Sequence, residues 1–207
     1  MTNILITWIS SWIWKYISKE LSKENTIIWT WRKEIEKIEN INYLKWDIWD
    51  IDFIKKLNNS INKIDYVIIN AWVWYFDNFE NISLEENKEI IETNLLSPIL
   101  LINLLLKDKK INKWIIFIWS IVWKKSMKYW ASYAASKFWL RGFAMQLKNE
   151  LKWIKTHIIN PKIVNTNFHK NSKIEIHWKY QETSLDSIYQ VINNIITWKE
   201  KTFEIDL

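Results

Sequence analysis

Short apolar runs recur along this chain of 207 residues, and longer segments with helical periodicity separate them. The apolar runs are rich in Ile, Val, Thr and Tyr and are bounded by polar turns, so they read as strands. They predict strands at Ile4–Thr7, Thr26–Thr30, Ile41–Lys45, Tyr66–Asn70, Ile115–Trp119, Thr156–Ile159 and Thr202–Ile205. The intervening periodicity predicts helices over Trp14–Lys23, Arg32–Ile38, Ile51–Asn62, Leu84–Leu106, Ser132–Leu151 and Leu185–Ile196. Strands alternating with helices make βαβ units, because parallel strands need a crossover. The expected architecture is a doubly wound, mainly parallel, seven-stranded sheet with helices on both faces, in three layers. No linker or repeat divides it, so residues 1–207 are expected to form a single domain. Ligands of such sheets bind just beyond the carboxyl ends of the strands.

At the first of those ends the letters and the pattern disagree. Residues 2–14 read T-N-I-L-I-T-W-I-S-S-W-I-W. With glycine at Trp8, Trp12 and Trp14 the run becomes T-G-I-S-S-G-I-G, a strand followed by a dinucleotide phosphate-binding turn. Glycine is required there for the tight turn, for close approach of backbone N–H groups to the pyrophosphate, and for helix-on-strand packing. Composition sides with the pattern. The chain has 17 Trp and one Gly, Gly142, where average usage would give roughly fourteen glycines. Eight Tyr and eight Phe already make a normal aromatic complement. The hypothesis is that UGA codons meaning glycine were translated as tryptophan. The alternative is a Trp-rich module for a membrane interface or for stacking on sugars. In the literal chain, indoles at 8, 12 and 14 are expected to occlude the phosphate site.

The remaining bulk features exclude several classes. The formal net charge is +6, but the lysines are scattered, with no basic stripe interleaved with aromatics, so nucleic acid is not an expected partner. There is no Cys, hence no disulfide or thiolate metal site. His157, His169 and His177 lack ligand spacing, and no metal is expected. The most apolar run, residues 95–106, is too short and interrupted to span a bilayer. No signal peptide is evident. The expectation is a cytoplasmic protein without a membrane partner.

Tyr133 and Lys137 occur in Y-A-A-S-K, four residues apart on a predicted helix and so on one face. Ser120 ends the strand I-I-F-I-W-S, and Asn94 lies in the long helix before it. Further motifs follow in order: Asp47-Ile48-Trp49-Asp50, Asn70-Ala71-Trp72, Trp119-Ser120 and Asn160-Pro161-Lys162-Ile163-Val164-Asn165-Thr166. Together they resemble the short-chain dehydrogenase/reductase family over nearly the whole chain, with Trp at its glycine positions. One departure is not a Trp: Lys162 stands where the family has glycine, which bears on the backbone path beside the nicotinamide.

The resemblance implies a Rossmann-type fold, a nicotinamide cofactor and four catalytic residues. Tyr133 would be the acid/base, and Lys137 would favour its phenolate and hold the ribose. Ser120 would orient the substrate oxygen, while Asn94 anchors a water reaching Lys137. Thr7, Trp8, Ser10, Ser11, Trp12, Ile13 and Trp14 would surround the phosphates. Asp47 and Ile48 would contact adenine, and Asn70, Ala71 and Trp72 would line the nucleotide. Pro161, Val164 and Thr166 would reach the nicotinamide end. After the second strand come Trp31, Arg32 and Lys33 rather than an acid. A guanidinium suits a 2′-phosphate, so NADP(H) is favoured over NAD(H). The expected activity interconverts a carbonyl and a secondary alcohol, as a 3-oxoacyl or small-ketone reductase. The alternative is a non-catalytic nucleotide-binding sensor or scaffold. The partner would be a small-molecule substrate, and the apolar helices 84–106 and 132–151 suggest a homodimer or homotetramer. Residues 168–183, where the family covers its substrate, leave little room for a large lid.

Overall fold

A computed structural model describes residues 1–7, 12–31, 40–45, 51–120, 128–162, 164 and 183–207, with the side chains of all but residues 12, 13, 31, 43 and 45. Seven strands, β1 (Thr2–Ile6), β2 (Asn25–Trp31), β3 (Ile41–Lys45), β4 (Ile64–Ile69), β5 (Ile111–Ile118), β6 (Lys155–Asn160) and β7 (Glu204–Asp206), form one sheet in the order β3-β2-β1-β4-β5-β6-β7. Every neighbouring pair is parallel. The expected seven-stranded, doubly wound sheet is what the chain builds. The predicted helix Arg32–Ile38 lies outside the described residues.

Parallel strands buried on both faces read as continuous apolar runs, and the alternation of side chains explains how one run serves two cores. Ile4 and Ile6 of β1, Tyr66 and Ile68 of β4, and Trp114, Ile116 and Ile118 of β5 pack with helices α1 (Trp12–Ser22) and α6 (Leu185–Ile196). Leu5, Val67, Ile69, Ile115 and Phe117 point the other way, against α2 (Ile51–Ser60), α4 (Ser97–Lys107) and α5 (Ala131–Glu150).

The segment predicted as one helix over Leu84–Leu106 is helical throughout but not uniform. A capping box opens α3 (Leu84–Ile91): Ser83 Oγ accepts from Glu86 N–H at 3.1 Å, and the Glu86 carboxylate accepts from Ser83 N–H at 2.9 Å. A π-turn over Glu92–Leu96 then joins it to α4. The apolar run 95–106 is thus part of a 24-residue helix, Leu84–Lys107, long and apolar enough by length and composition to cross a bilayer. Its side chains explain that apolarity differently, since Ile90, Leu101, Ile102 and Leu105 are wholly buried in this fold.

Two helices end in the same way. After α4, Lys109 takes φ 54°, with Lys109 N–H donating to Leu106 O at 3.0 Å and Lys110 N–H to Leu105 O at 2.8 Å. After α6, Trp198 takes φ 63°, with Trp198 N–H donating to Ile195 O at 3.1 Å and Lys199 N–H to Asn194 O at 2.8 Å. Both are Schellman endings, whose left-handed position is usually glycine because it lacks a Cβ.

Candidate active site

Because all strands are parallel, their carboxyl ends lie along one edge, and the sheet order reverses between β1 and β4. Thr7, just past β1, ties that switch point together. Its N–H donates to Ile68 O at 3.0 Å, and its Oγ1 accepts from Asn70 N–H at 3.1 Å and Ala71 N–H at 3.4 Å. Thr7, Asn70 and Ala71 are buried. Three residues assigned to the nucleotide by sequence therefore meet at the expected crevice. Trp14, on α1, is buried in the core. Trp8, Ser10, Ser11, Arg32, Asp47, Ile48 and Thr166 lie outside the described residues, as do the side chains of Trp12 and Ile13.

On α5, Tyr133 and Lys137 share the buried face, 7% and 2% exposed. The Lys137 Nζ lies 5.7 Å from the centre of the Tyr133 ring and 5.4 Å from that of Trp119. Ser120, half-buried, directly follows β5 and Trp119. Pro161 is buried and Val164 half-buried beyond β6. Lys162 is accommodated without left-handed backbone, and its N–H donates to Thr183 Oγ1 at 2.9 Å. The departure from glycine therefore introduces no conformational strain there.

Asn94 is wholly buried in the π-turn. Its Oδ1 accepts from Val73 N–H at 2.7 Å, and its Nδ2 donates to Val73 O at 2.9 Å and to Ser136 Oγ at 3.1 Å. Ser136 Oγ in turn donates to Tyr133 O at 2.7 Å. The sequence reading missed Ser136 and Val73. A lone serine on the apolar face of α5, between Tyr133 and Lys137, was the available signal.

The space before Tyr133 is aromatic. Its ring centre lies 5.2 Å from that of Trp130, 6.0 Å from Trp74 and 6.3 Å from Trp72, and Phe76 packs against Trp130 at 4.7 Å. This crowding has an electrostatic consequence. Burial pushes the Tyr133 phenol well above its ordinary value and the Lys137 amine down to about 7. Both groups therefore favour their neutral forms, because desolvation penalises whichever form is charged. Beside Lys137 the indole N–H of Trp119, and in the core on the other sheet face that of Trp29, have no hydrogen-bond partner among the described residues.

The polar framework of Thr7, Asn70, Ala71, Tyr133 and Lys137 fits a dinucleotide. Indoles at 72, 74 and 130, packed onto Tyr133, do not.

A model of the family described as short chain dehydrogenase matches residues 6–176. An uncharacterized oxidoreductase of Saccharomyces cerevisiae is 29% identical, with 81% of this chain and 72% of that protein covered. Among solved structures, a short chain dehydrogenase family protein of Francisella tularensis superposes with TM-score 0.86 at 20% identity, covering 100% of this chain and 97% of that one. An alcohol dehydrogenase of the archaeon Thermococcus sibiricus, complexed with 5-hydroxy-NADP, superposes with TM-score 0.82 at 22% identity, covering 100% and 96%.

Proposed function

The chain belongs to the short chain dehydrogenase family, and from that premise we propose that it is an NADP(H)-dependent oxidoreductase interconverting a carbonyl and a secondary alcohol on a small or medium substrate. The observation that carries this reading is the pair Tyr133 and Lys137, one helical turn apart and buried where the strands end. Reduction of a carbonyl leaves an alkoxide that needs a proton. Tyr133 Oη donates it, Ser120 orients the carbonyl oxygen, and a charged Lys137 lowers the cost of the phenolate left behind. Thr7, Asn70, Ala71, Pro161 and Val164 would hold the nucleotide, whose reduced nicotinamide would supply the hydride. Preference for the 2′-phosphate rests on Arg32 and Lys33 in the sequence. Residues 1–207 act as one domain.

This reading includes glycine at the tryptophan positions, through UGA codons decoded as glycine in the source organism. Four observations support it. Indoles at 72, 74 and 130 pack onto the acid/base, and two buried indole N–H groups have no partner among the described residues. Trp198 occupies a left-handed helix-ending position, and 17 Trp accompany a single Gly. Removing the indoles would remove part of the burial that disfavours a charged Lys137, the cation that the chemistry needs.

The exposed apolar side chains Phe138, Trp139, Leu96 and Ile91, on α5 and the long helix, support assembly as a homodimer or homotetramer. The test is NADPH oxidation over a panel of ketones, 3-oxoacyl thioesters and sugars by the chain carrying glycine at the 17 positions. Turnover of at least one is expected. Tight NADPH binding with no turnover would replace the enzyme by a nucleotide sensor on the same fold. The intact mass of the protein from its source organism tests the decoding, and 17 genuine tryptophans would end it.

A further inference from the structure

Ser136 is wholly buried in the interior of α5. A serine in such a place is unfavourable unless its hydroxyl is satisfied locally. Here the hydroxyl serves two elements at once. It donates to the Tyr133 carbonyl at 2.7 Å and accepts from Asn94 Nδ2 at 3.1 Å. The second Nδ2 hydrogen goes to Val73 O at 2.9 Å, and Asn94 Oδ1 takes the Val73 N–H at 2.7 Å. Both donors of the carboxamide are thus committed, and its orientation is fixed by chemistry. A flipped amide would set NH₂ against the Val73 N–H. The π-turn matters because its additional residue shifts the helical register around Asn94, within the segment joining α3 to α4. The chain of donors runs Asn94 to Ser136 to Tyr133 O, joining the segment after β4, the long helix and α5.

We propose that Ser136 is a positioning residue: through Asn94 and the Tyr133 carbonyl it fixes the turn of α5 that carries both Tyr133 and Lys137. This rests on the oxidoreductase reading above. Ser136 does not touch the substrate. It acts by holding the angle at which the phenol and amine enter the site, where a displacement of about 1 Å costs up to roughly 100-fold in rate.

The experiment compares Ser136→Ala with the parent enzyme, both carrying glycine at the 17 positions, in the NADPH-linked assay. Expected is a fall in kcat of about 10-fold or more, with NADPH affinity by fluorescence titration unchanged within about twofold. The apparent pKa for alcohol oxidation should rise, because a displaced Lys137 no longer favours the phenolate. Asn94→Ala combined with Ser136→Ala should cost no more than the worse single change, since the two act as one unit. Unchanged kcat and pH profile, NADPH affinity falling in proportion to rate, or multiplicative losses in the double variant would each overturn the proposal. Should Ser136→Ala fail to fold, Ser136→Cys carries the same comparison with the same expected split. An active parent with a silent Ser136 variant sinks this inference alone, whereas an inactive parent sinks the oxidoreductase reading and this with it.

Discussion

Tyr133 and Lys137 are legible in the sequence as a pair, but burial decides which charge state each prefers. With Lys137 held near 7, against an ordinary value of 10.5, the unfolded chain binds one more proton than the folded chain between those two pH values. Stability therefore rises with pH across that window, and this contribution is lost as the pH falls toward 7. Tyr133, raised by burial, acts only above pH 10, where further alkali destabilises. Lys137→Met in the tryptophan-bearing chain should be more stable than its parent at pH 6 by more than about 1.4 kcal/mol, the worth of one pKa unit. The difference should narrow toward pH 10, as read from guanidinium denaturation. An equal gain at both pH values would remove burial of a neutral amine as its cause. In the glycine-bearing enzyme, Tyr133→Phe should lower kcat by about 100-fold or more while NADPH still binds, the size expected for loss of a positioned general acid.

Among the elements, the two Schellman endings separate backbone strain from side-chain contact. Lys109 and Trp198 hold nearly the same left-handed conformation, φ 54° and 63°, and pay the Cβ penalty there. Lys109→Gly should stabilise the fold by about 1 kcal/mol in chemical denaturation. Trp198→Gly should do the same less the ring contact with Trp114, centred 4.7 Å away. A loss at 198 beside a gain at 109 would show that the indole contact outweighs the strain. The long helix teaches a different lesson. Its apolar periodicity marks a helix from Leu84, and the Ser83–Glu86 capping pair marks the start. The π-turn at Asn94 carries no periodicity signal, and the hydrogen bonds of Asn94 to Val73 and Ser136 are made only in the folded chain.

For the whole molecule, the helices that cover one sheet face leave Phe138, 63% exposed, and Trp139, 68% exposed, facing outward. If these form the contact between subunits, Phe138→Asp should shift the protein toward monomer in sedimentation velocity, leaving the melting profile of the monomer intact. A parent that already sediments as a monomer would remove the assembly from the reading. Composition works at this scale too: a chain with 17 Trp and one Gly still alternates strand and helix in register. The fold depends on the apolar pattern of the remaining residues, and indoles can be absorbed into cores, as Trp114 and Trp29 are.

The sequence by itself determined the strand–helix alternation, the sheet type and the pairing of Tyr133 with Lys137, because each is a matter of local spacing: period two, period 3.6, and one turn of a helix. Tertiary structure alone decided what those side chains meet: that Thr7 ties β1 to the segment after β4, that Asn94 and Ser136 form one unit, and that Lys162 sits without strain. It also decided that indoles at 72, 74 and 130 close on Tyr133. Trp130 aside, which lies three residues before Tyr133, those contacts join residues 21 to 63 positions apart or set a backbone angle. No local pattern encodes distances of that kind, which arise only when the sheet brings the ends of its strands together.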